Sequence, residues 1–199
     1  MNYRMILKVI GKVILIEAGL LIFPMAVALI YGESSVFAFL ITFGGALAVG
    51  SLLVFPIKPK KKDLFAKEGL VIVSLSWIVV SAIGALPFVI SGEIPSYADA
   101  LFETVSGFTT TGSSILSDVE ALGKAVLFWR SFTHWIGGMG VLVFLTAITS
   151  NTDKSINILR AEMPGPSVDK IVPRAKDTAR ILYLMYVGLT AVCVIMLLC

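Results

Sequence analysis

The chain has 199 residues, of which 57% are hydrophobic and 15% are charged. A water-soluble domain usually contains about 45–50% apolar and about 25% charged residues. The composition therefore excludes a disordered chain, a nucleic-acid-binding domain and a disulfide-stabilised secreted module. Long apolar runs indicate instead a polytopic membrane protein that contacts lipid. The net charge of +3 does not by itself indicate a function. The positions of the basic residues along the chain, in contrast, predict its orientation in the membrane.

Five apolar runs are long enough to cross a bilayer, because about 20 residues rising about 1.5 Å each match a hydrocarbon core of about 30 Å. They lie at roughly 5–30, 36–55, 69–90, 124–148 and 179–199. Tyr97–Phe108 is too short to span and predicts a re-entrant helix, for which Ser96 with Asp99 three residues later resembles a capping box. The expected fold is an all-α polytopic membrane protein, with five transmembrane helices plus one re-entrant pore helix and filter loop.

Basic residues predict the orientation. All but Lys124 and Arg130 of the 16 basic residues lie at the start of the first run, between the second and third runs, or between the fourth and fifth. These three regions share one side if Tyr97–Phe108 re-enters rather than crosses. The positive-inside rule makes that side, and the N-terminus, cytoplasmic in a multi-pass protein of the cell membrane.

The expected organisation follows from these runs. It comprises two N-terminal transmembrane helices (1–57), a basic cytoplasmic loop (58–68), a span–pore loop–span unit (69–150), a cytoplasmic linker (151–177) and the first helix of a second, incomplete unit (178–199).

The threonine- and glycine-rich segment 109–114 follows the short helix. Backbone carbonyls of an extended strand can replace the hydration shell of a cation, and glycine permits backbone angles that other residues resist. The C-terminus of a short helix adds a negative dipole that favours a cation. An ordinary exposed turn between helices remains the alternative interpretation.

Three stretches in chain order resemble the TrkH/KtrB/HKT superfamily of potassium transporters, and specifically its TrkH-type members. Residues 102–113 (FETVSGFTTTGS) resemble the first pore loop, residues 127–140 (LFWRSFTHWIGGMG) the helix that follows, and residues 160–166 (RAEMPGP) the subsequent linker. The resemblance covers essentially the whole chain and also accounts for the two helices before the first pore unit.

This resemblance implies potassium uptake across the cytoplasmic membrane, with no enzymatic activity and no cofactor in this chain. The filter strand would be Thr109–Ser113, with K⁺ held by the backbone carbonyls of Thr110 and Thr111 and with Gly112 as the filter glycine. The resemblance also implies a homodimer of the complete protein and cytosolic nucleotide-binding, TrkA-like regulatory subunits. Membrane lipid is the other expected partner, and no nucleic acid is expected.

The family builds its pore from four non-identical units in one chain, whereas this sequence has one unit and the start of a second. We therefore expect an N-terminal portion of a transporter. The alternatives are one part of a split membrane transporter or an inert truncated membrane protein without transport of its own.

Three ionisable residues lie in apolar segments, where such groups are costly and usually functional. Arg130 is expected to brace the pore helix through Glu103, or else to extend toward the membrane interface. Glu17 lies in the middle of the first run, where we expect a structural partner rather than ion handling. The glycines of Gly137-Gly138-Met139-Gly140 are expected to permit close helix packing, as are Ala46 and Gly50 at four-residue spacing.

Overall fold

The computed structural model describes residues 3–57, 66–140 and 175–198, and this part of the chain is helical. The helices are α1 (Tyr3–Leu20), α2 (Ile22–Tyr31), α3 (Val36–Val54), α4 (Ala66–Gly84), α5 (Leu86–Ile90), α6 (Tyr97–Phe108), α7 (Lys124–Met139) and α8 (Ala175–Leu198).

Four stretches of helix are long and apolar enough to cross a membrane: Tyr3–Tyr31, Val36–Val54, Glu68–Ile90 and Arg180–Leu198. They coincide with four of the five predicted runs. The remaining run, 124–148, begins at α7, but residues 141–150 lie outside the described part. The 16 residues of α7 are fewer than the about 20 that a span requires.

Two of these stretches are interrupted where the sequence alone suggested continuous helices. Leu21 separates α1 from α2, and Ala85 separates α4 from α5. Each break lies two or three residues before a proline, Pro24 or Pro87. Proline has no N–H group and crowds the carbonyl one turn earlier, so it interrupts the helix without ending the crossing.

The core forms where α1 packs on α3 and α4, and where α6 packs on α4 and α7. Gly11 on α1 and Gly50 on α3 mark the first of these crossings, since a Cβ at Gly11 would lie 3.2 Å from the Gly50 carbonyl oxygen. Small residues let membrane helices approach closely, which fits the predicted packing role of Gly50. Many large apolar side chains face outward on α2, α3 and α8, as lipid contact requires.

The helix α6 has the bounds expected from the sequence. Ser96 precedes it in an extended conformation, and its Oγ accepts a hydrogen bond from the N–H of Asp99 at 3.4 Å. This is the N-cap arrangement predicted from the spacing of these two residues. The cap fixes where α6 begins, and the helix ends 12 residues later at Phe108.

Candidate functional site

The segment that follows α6 leaves the helix through a defined turn. The N–H of Thr111 donates to the Ser106 carbonyl and the N–H of Thr110 donates to the Gly107 carbonyl, both at 2.9 Å. This pair of bonds is the Schellman motif, whose left-handed position is usually glycine. Here Thr110 takes that position with φ of 56°. The same motif ends α2, where Gly32 is the left-handed residue.

A β-branched residue with positive φ is a true conformational outlier, and it costs about 1–2 kcal/mol. Gly112, two positions later, also has positive φ, at 76°. The side chains from Thr109 to Ser113 are exposed. The segment 109–113 is therefore a strand only in the loose sense of irregular, strained backbone with exposed side chains, and not a regular β-strand.

The carbonyl oxygens of this strand are not equivalent. Among the described residues, no group donates a hydrogen bond to the carbonyls from Thr109 to Gly112. The carbonyl of Ser113, in contrast, accepts from the Ser106 Oγ at 2.6 Å. This bond ties the far end of the segment back to α6, whereas the carbonyls in between have no hydrogen-bond donor among the described residues.

Glu103 holds the next two residues from inside the protein. Its buried carboxylate accepts hydrogen bonds from the Ser114 Oγ at 2.5 Å and from the N–H of Ile115 at 2.7 Å. Its other oxygen accepts from Arg130 Nε at 2.9 Å, in an ion pair whose exposed fractions are 14% for Arg130 and 0% for Glu103. One carboxylate thus links α6, α7 and the strand, through bonds that ionisation of both partners strengthens.

The helix α6 packs very closely on its neighbours at glycine positions. A Cβ at Gly107 would overlap the Thr133 hydroxyl, and a Cβ at Gly137 would overlap the carbonyl oxygen of Phe108. On its other flank, a Cβ at Gly84 would lie 2.9 Å from Thr104 Cγ2. The expected packing role of the glycines in α7 therefore corresponds to direct contact with the last residue of α6.

Gly138, the next residue on α7, faces a different helix. A Cβ there would overlap the hydroxyl of Tyr186 on α8, and that hydroxyl donates to the Trp135 carbonyl at 3.0 Å. Gly137 and Gly138 thus permit two different close contacts of α7, the first with α6 and the second with α8.

Trp129 is a central side chain behind α6, and the sequence did not single it out for this role. It is fully buried, and its Nε1–H donates to the Gly84 carbonyl at 2.9 Å. Its ring also contacts Phe39 and Phe108 edge to face. A buried tryptophan usually needs such a partner for its N–H, and this one joins α4 to α7.

A second group that sequence reasoning missed is the Glu33–Glu93 clamp, which consists of these two carboxylates and the first N–H groups of α7. Glu33 accepts from the N–H of Lys124 at 2.6 Å and of Ala125 at 3.0 Å, while Glu93 accepts from the N–H of Gly123 at 2.8 Å. The first N–H groups of a helix lack partners within the helix. Because the carboxylates come from distant segments, no local capping pattern revealed them.

Folding shifts the pKa values of Glu33 and Glu93 in opposite directions. Burial tends to raise the pKa of Glu33, but the hydrogen bonds from Ala125, Lys124 and Ser35 outweigh it, so that its pKa lies below the ordinary glutamate value. Burial raises the pKa of Glu93 above that value, against the bond from Gly123, and the charge of Glu33 adds to the increase. On acidification, Glu93 therefore becomes protonated before Glu33.

We expect the Glu33–Glu93 clamp to make the free energy of unfolding depend on pH in the acidic range. Because the pKa of Glu33 is lowered by folding, its contribution is complete above the ordinary glutamate pKa of about 4.3 and is lost as the pH falls through its folded pKa. Thermal unfolding of the chain in detergent micelles should show Glu33→Gln to be less stable by about 1 kcal/mol at neutral pH. The variant should also lose less on acidification. An identical acid dependence in both proteins would contradict the clamp.

Another polar side chain of α7, that of His134, makes a contact within its own helix. Nδ1 of His134 lies 2.9 Å from the carbonyl oxygen of Arg130, within α7. Among residues 3–57, 66–140 and 175–198, no group of three or more His, Cys, Asp or Glu could hold a metal ion.

Comparison with known proteins gives consistent matches. The family model of the TrkH cation transport proteins matches residues 35–199. The Trk system potassium uptake protein TrkH of Escherichia coli K12 is 42% identical, over 99% of this chain and 41% of that protein. Its counterpart in Halomonas elongata is 33% identical, over 97% of this chain and 41% of that protein.

The same similarity holds in three dimensions. The crystal structure of the potassium transporter TrkH from Vibrio parahaemolyticus matches with a TM-score of 0.78 and 33% identity, over 96% of this chain and 38% of that one. The chain thus spans about two fifths of the length of the proteins that it matches.

Proposed function

The chain belongs to the TrkH family of cation transport proteins, and from this premise we propose that it contributes one of the four pore loops of a potassium uptake transporter. The observation that carries the proposal is the strand from Thr109 to Gly112, whose carbonyls accept no hydrogen bond from the described residues. The family transports cations and is not a family of enzymes, as expected from the sequence. The chain is a multi-pass membrane protein.

We assign the ion contacts to the backbone carbonyls of Thr110 and Thr111, with Thr109, Gly112 and Ser113 completing the filter strand. Two observations support this assignment. Left-handed residues at positions 110 and 112 interrupt any regular strand pairing and favour a strand that points carbonyls at a ligand. The strand also follows directly from the C-terminus of α6, where the helix dipole is negative.

The supporting roles go to Glu103 and Arg130. Their ion pair, together with the bonds from Glu103 to Ser114 and Ile115, fixes the exit of the strand. A filter requires such a rigid frame, since the ligand oxygens must replace a hydration shell at set positions. Arg130 then acts on the ion only through the position of the strand.

For the topology, we propose five spans with α6 re-entering, and a cytoplasmic N-terminus. The basic residues supply the support, since all three basic regions share one side in this arrangement. The division into 1–57, 58–68, 69–150, 151–177 and 178–199 follows from the same topology. The 12 residues of α6 are too few to cross a bilayer.

The partners and ligands follow from family membership. We propose that the complete protein dimerises, that it binds cytosolic nucleotide-binding regulatory subunits, and that potassium is the transported ion with no resident cofactor. The outward-facing apolar side chains support contact with lipid.

Replacing Gly112 with serine should loosen the selectivity for potassium over sodium. No atom lies within 4 Å of a Cβ built there, so any effect arises from the positive φ of 76°. Non-glycine residues pay about 1–2 kcal/mol in this conformation, and the strand would relax away from it. Transport is measured in a chimaera, in which residues 1–199 replace the matching portion of the E. coli protein, as rubidium uptake under sodium competition.

Gly92→Ser is the matched control, because Gly92 also has a positive φ (81°) and open surroundings but lies outside the strand. We expect selectivity to change only at position 112. Unchanged discrimination in Gly112→Ser, or an equal change at both positions, would disprove the filter assignment.

A further inference from the structure

Glu17 is a buried acid without a visible partner. It lies in α1 with 2% of its surface exposed. Neither of its carboxyl oxygens has a hydrogen-bond partner among the described residues. The sequence led us to expect a structural partner for this residue, and the described part of the chain contains none. Because the side chain is enclosed by its own chain, only something very small can bind there.

The carboxyl group lies directly behind the pore helix. A Cβ at Gly84 would lie 3.2 Å from the Oε1 of Glu17, 2.9 Å from Thr104 Cγ2 and 3.1 Å from Phe108 Cε2. The absence of a side chain at Gly84 thus admits the acid to the place where α1, α4 and α6 meet. Phe108 is the last residue before the strand. A displacement of Phe108 would therefore also move Thr109, the first residue of the proposed filter.

Among the described residues, no basic side chain pairs with the acid. Arg130 pairs with Glu103 instead, and the Tyr97 hydroxyl donates to the Ala82 carbonyl. Helices α3 and α5 carry no titratable residue. The other titratable side chains that the structure describes on α1 to α7 are Tyr3, Arg4, Lys8 and Lys12 on α1, Tyr31 on α2, Glu68 on α4, Asp99 on α6, and Lys124 and His134 on α7.

Of these, the closest along its own helix is Lys12, five residues or more than one turn before Glu17. Residues five apart do not share a helix face. An isolated carboxylate in an apolar interior is strongly disfavoured, so the group is accommodated as the neutral acid.

We propose that Glu17 is a positioning residue that binds a proton, and that its neutral form keeps the pore helix seated against α1 and α4. Ionisation would place a bare charge between Gly84, Thr104 and Phe108. That charge would separate the helices and displace the strand, so that potassium uptake falls as the pH rises. This inference rests on the proposed function of the strand, because the expected effect on uptake passes through it.

The first test is the pH profile of rubidium uptake by the chimaera. Glu17→Gln keeps the shape of the acid and cannot ionise. We expect it to match the parent protein in mildly acidic buffer and to retain uptake in alkaline buffer, where the parent loses several-fold. Superimposable pH profiles of the two proteins, at equal amounts in the membrane, would overturn the proposal.

The second test does not depend on transport. The infrared difference spectrum between the 199-residue chain and its Glu17→Gln variant, in detergent at neutral pH, should contain the C=O band of a protonated carboxyl group. A carboxylate band in its place would overturn the proposal even if the variant inserts poorly. If the band is present while the parent chimaera takes up no rubidium, the proposed function fails and the protonation of Glu17 stands.

Discussion

Replacing Gly137 with alanine should reduce rubidium uptake by the chimaera at least tenfold. The new Cβ would overlap the Phe108 carbonyl oxygen and would lie 2.7 Å from the carbonyl carbon. These are backbone atoms, so the contact is relieved only if α6 and α7 move apart. Overpacking of this kind costs about 1–3 kcal/mol, and here the displaced atoms belong to the residue immediately before the proposed filter strand.

The control for this substitution is the same change on another apolar helix. Gly44 and Gly45 lie on α3, and a Cβ at either would meet nothing within 4 Å. Alanine at these positions should leave uptake unchanged and should add slightly to helix stability. If Gly137→Ala retains uptake within about twofold of the parent, the close contact with Phe108 is not required for the filter.

The second large effect is expected at the Glu103–Arg130 ion pair. Removing one partner of a buried pair typically costs about 3–5 kcal/mol, because the remaining charge stays buried. Arg130→Met should lie at the low end of that range, since Glu103 keeps the bonds from Ser114 and Ile115. Glu103→Gln should be comparable, because its amide nitrogen cannot accept a hydrogen bond from Arg130.

The double variant separates a direct interaction from two independent defects. If the pair acts as one unit, Glu103→Gln with Arg130→Met should cost at least about 1 kcal/mol less than the sum of the single changes. Thermal unfolding of the four proteins in the same micelles provides the comparison. Strict additivity would mean that the 2.9 Å contact contributes nothing to stability.

Local patterns in the sequence predicted the bounds of α6 well. Ser96 and Asp99 predicted its start, the length from Tyr97 to Phe108 was as expected, and the structure brings Glu103 and Arg130 within 2.9 Å. These features depend on spacings within one helix, or on apolar segments in which an ionisable residue needs a partner. Such signals can be recognised in the sequence without knowledge of the fold.

Other features depend on contacts between distant segments and had no local signal. Glu33 contacts residues 91 and 92 positions later in the chain. Thr110 gives no indication of a left-handed conformation, which the pattern of a helix C-terminus would assign to glycine. Pro24 and Pro87 can be read from the sequence, but a proline in a membrane helix does not by itself show at which residue the helix is interrupted.

The most direct test of the filter assignment is the position of the ion. Anomalous X-ray scattering from crystals of the chimaera grown in rubidium should show a peak beside the carbonyl oxygens of Thr110 and Thr111. The peak should be absent from crystals grown in sodium. An occupied pore whose rubidium peaks all lie away from Thr109–Ser113 would contradict the assignment of this strand as part of the selectivity filter.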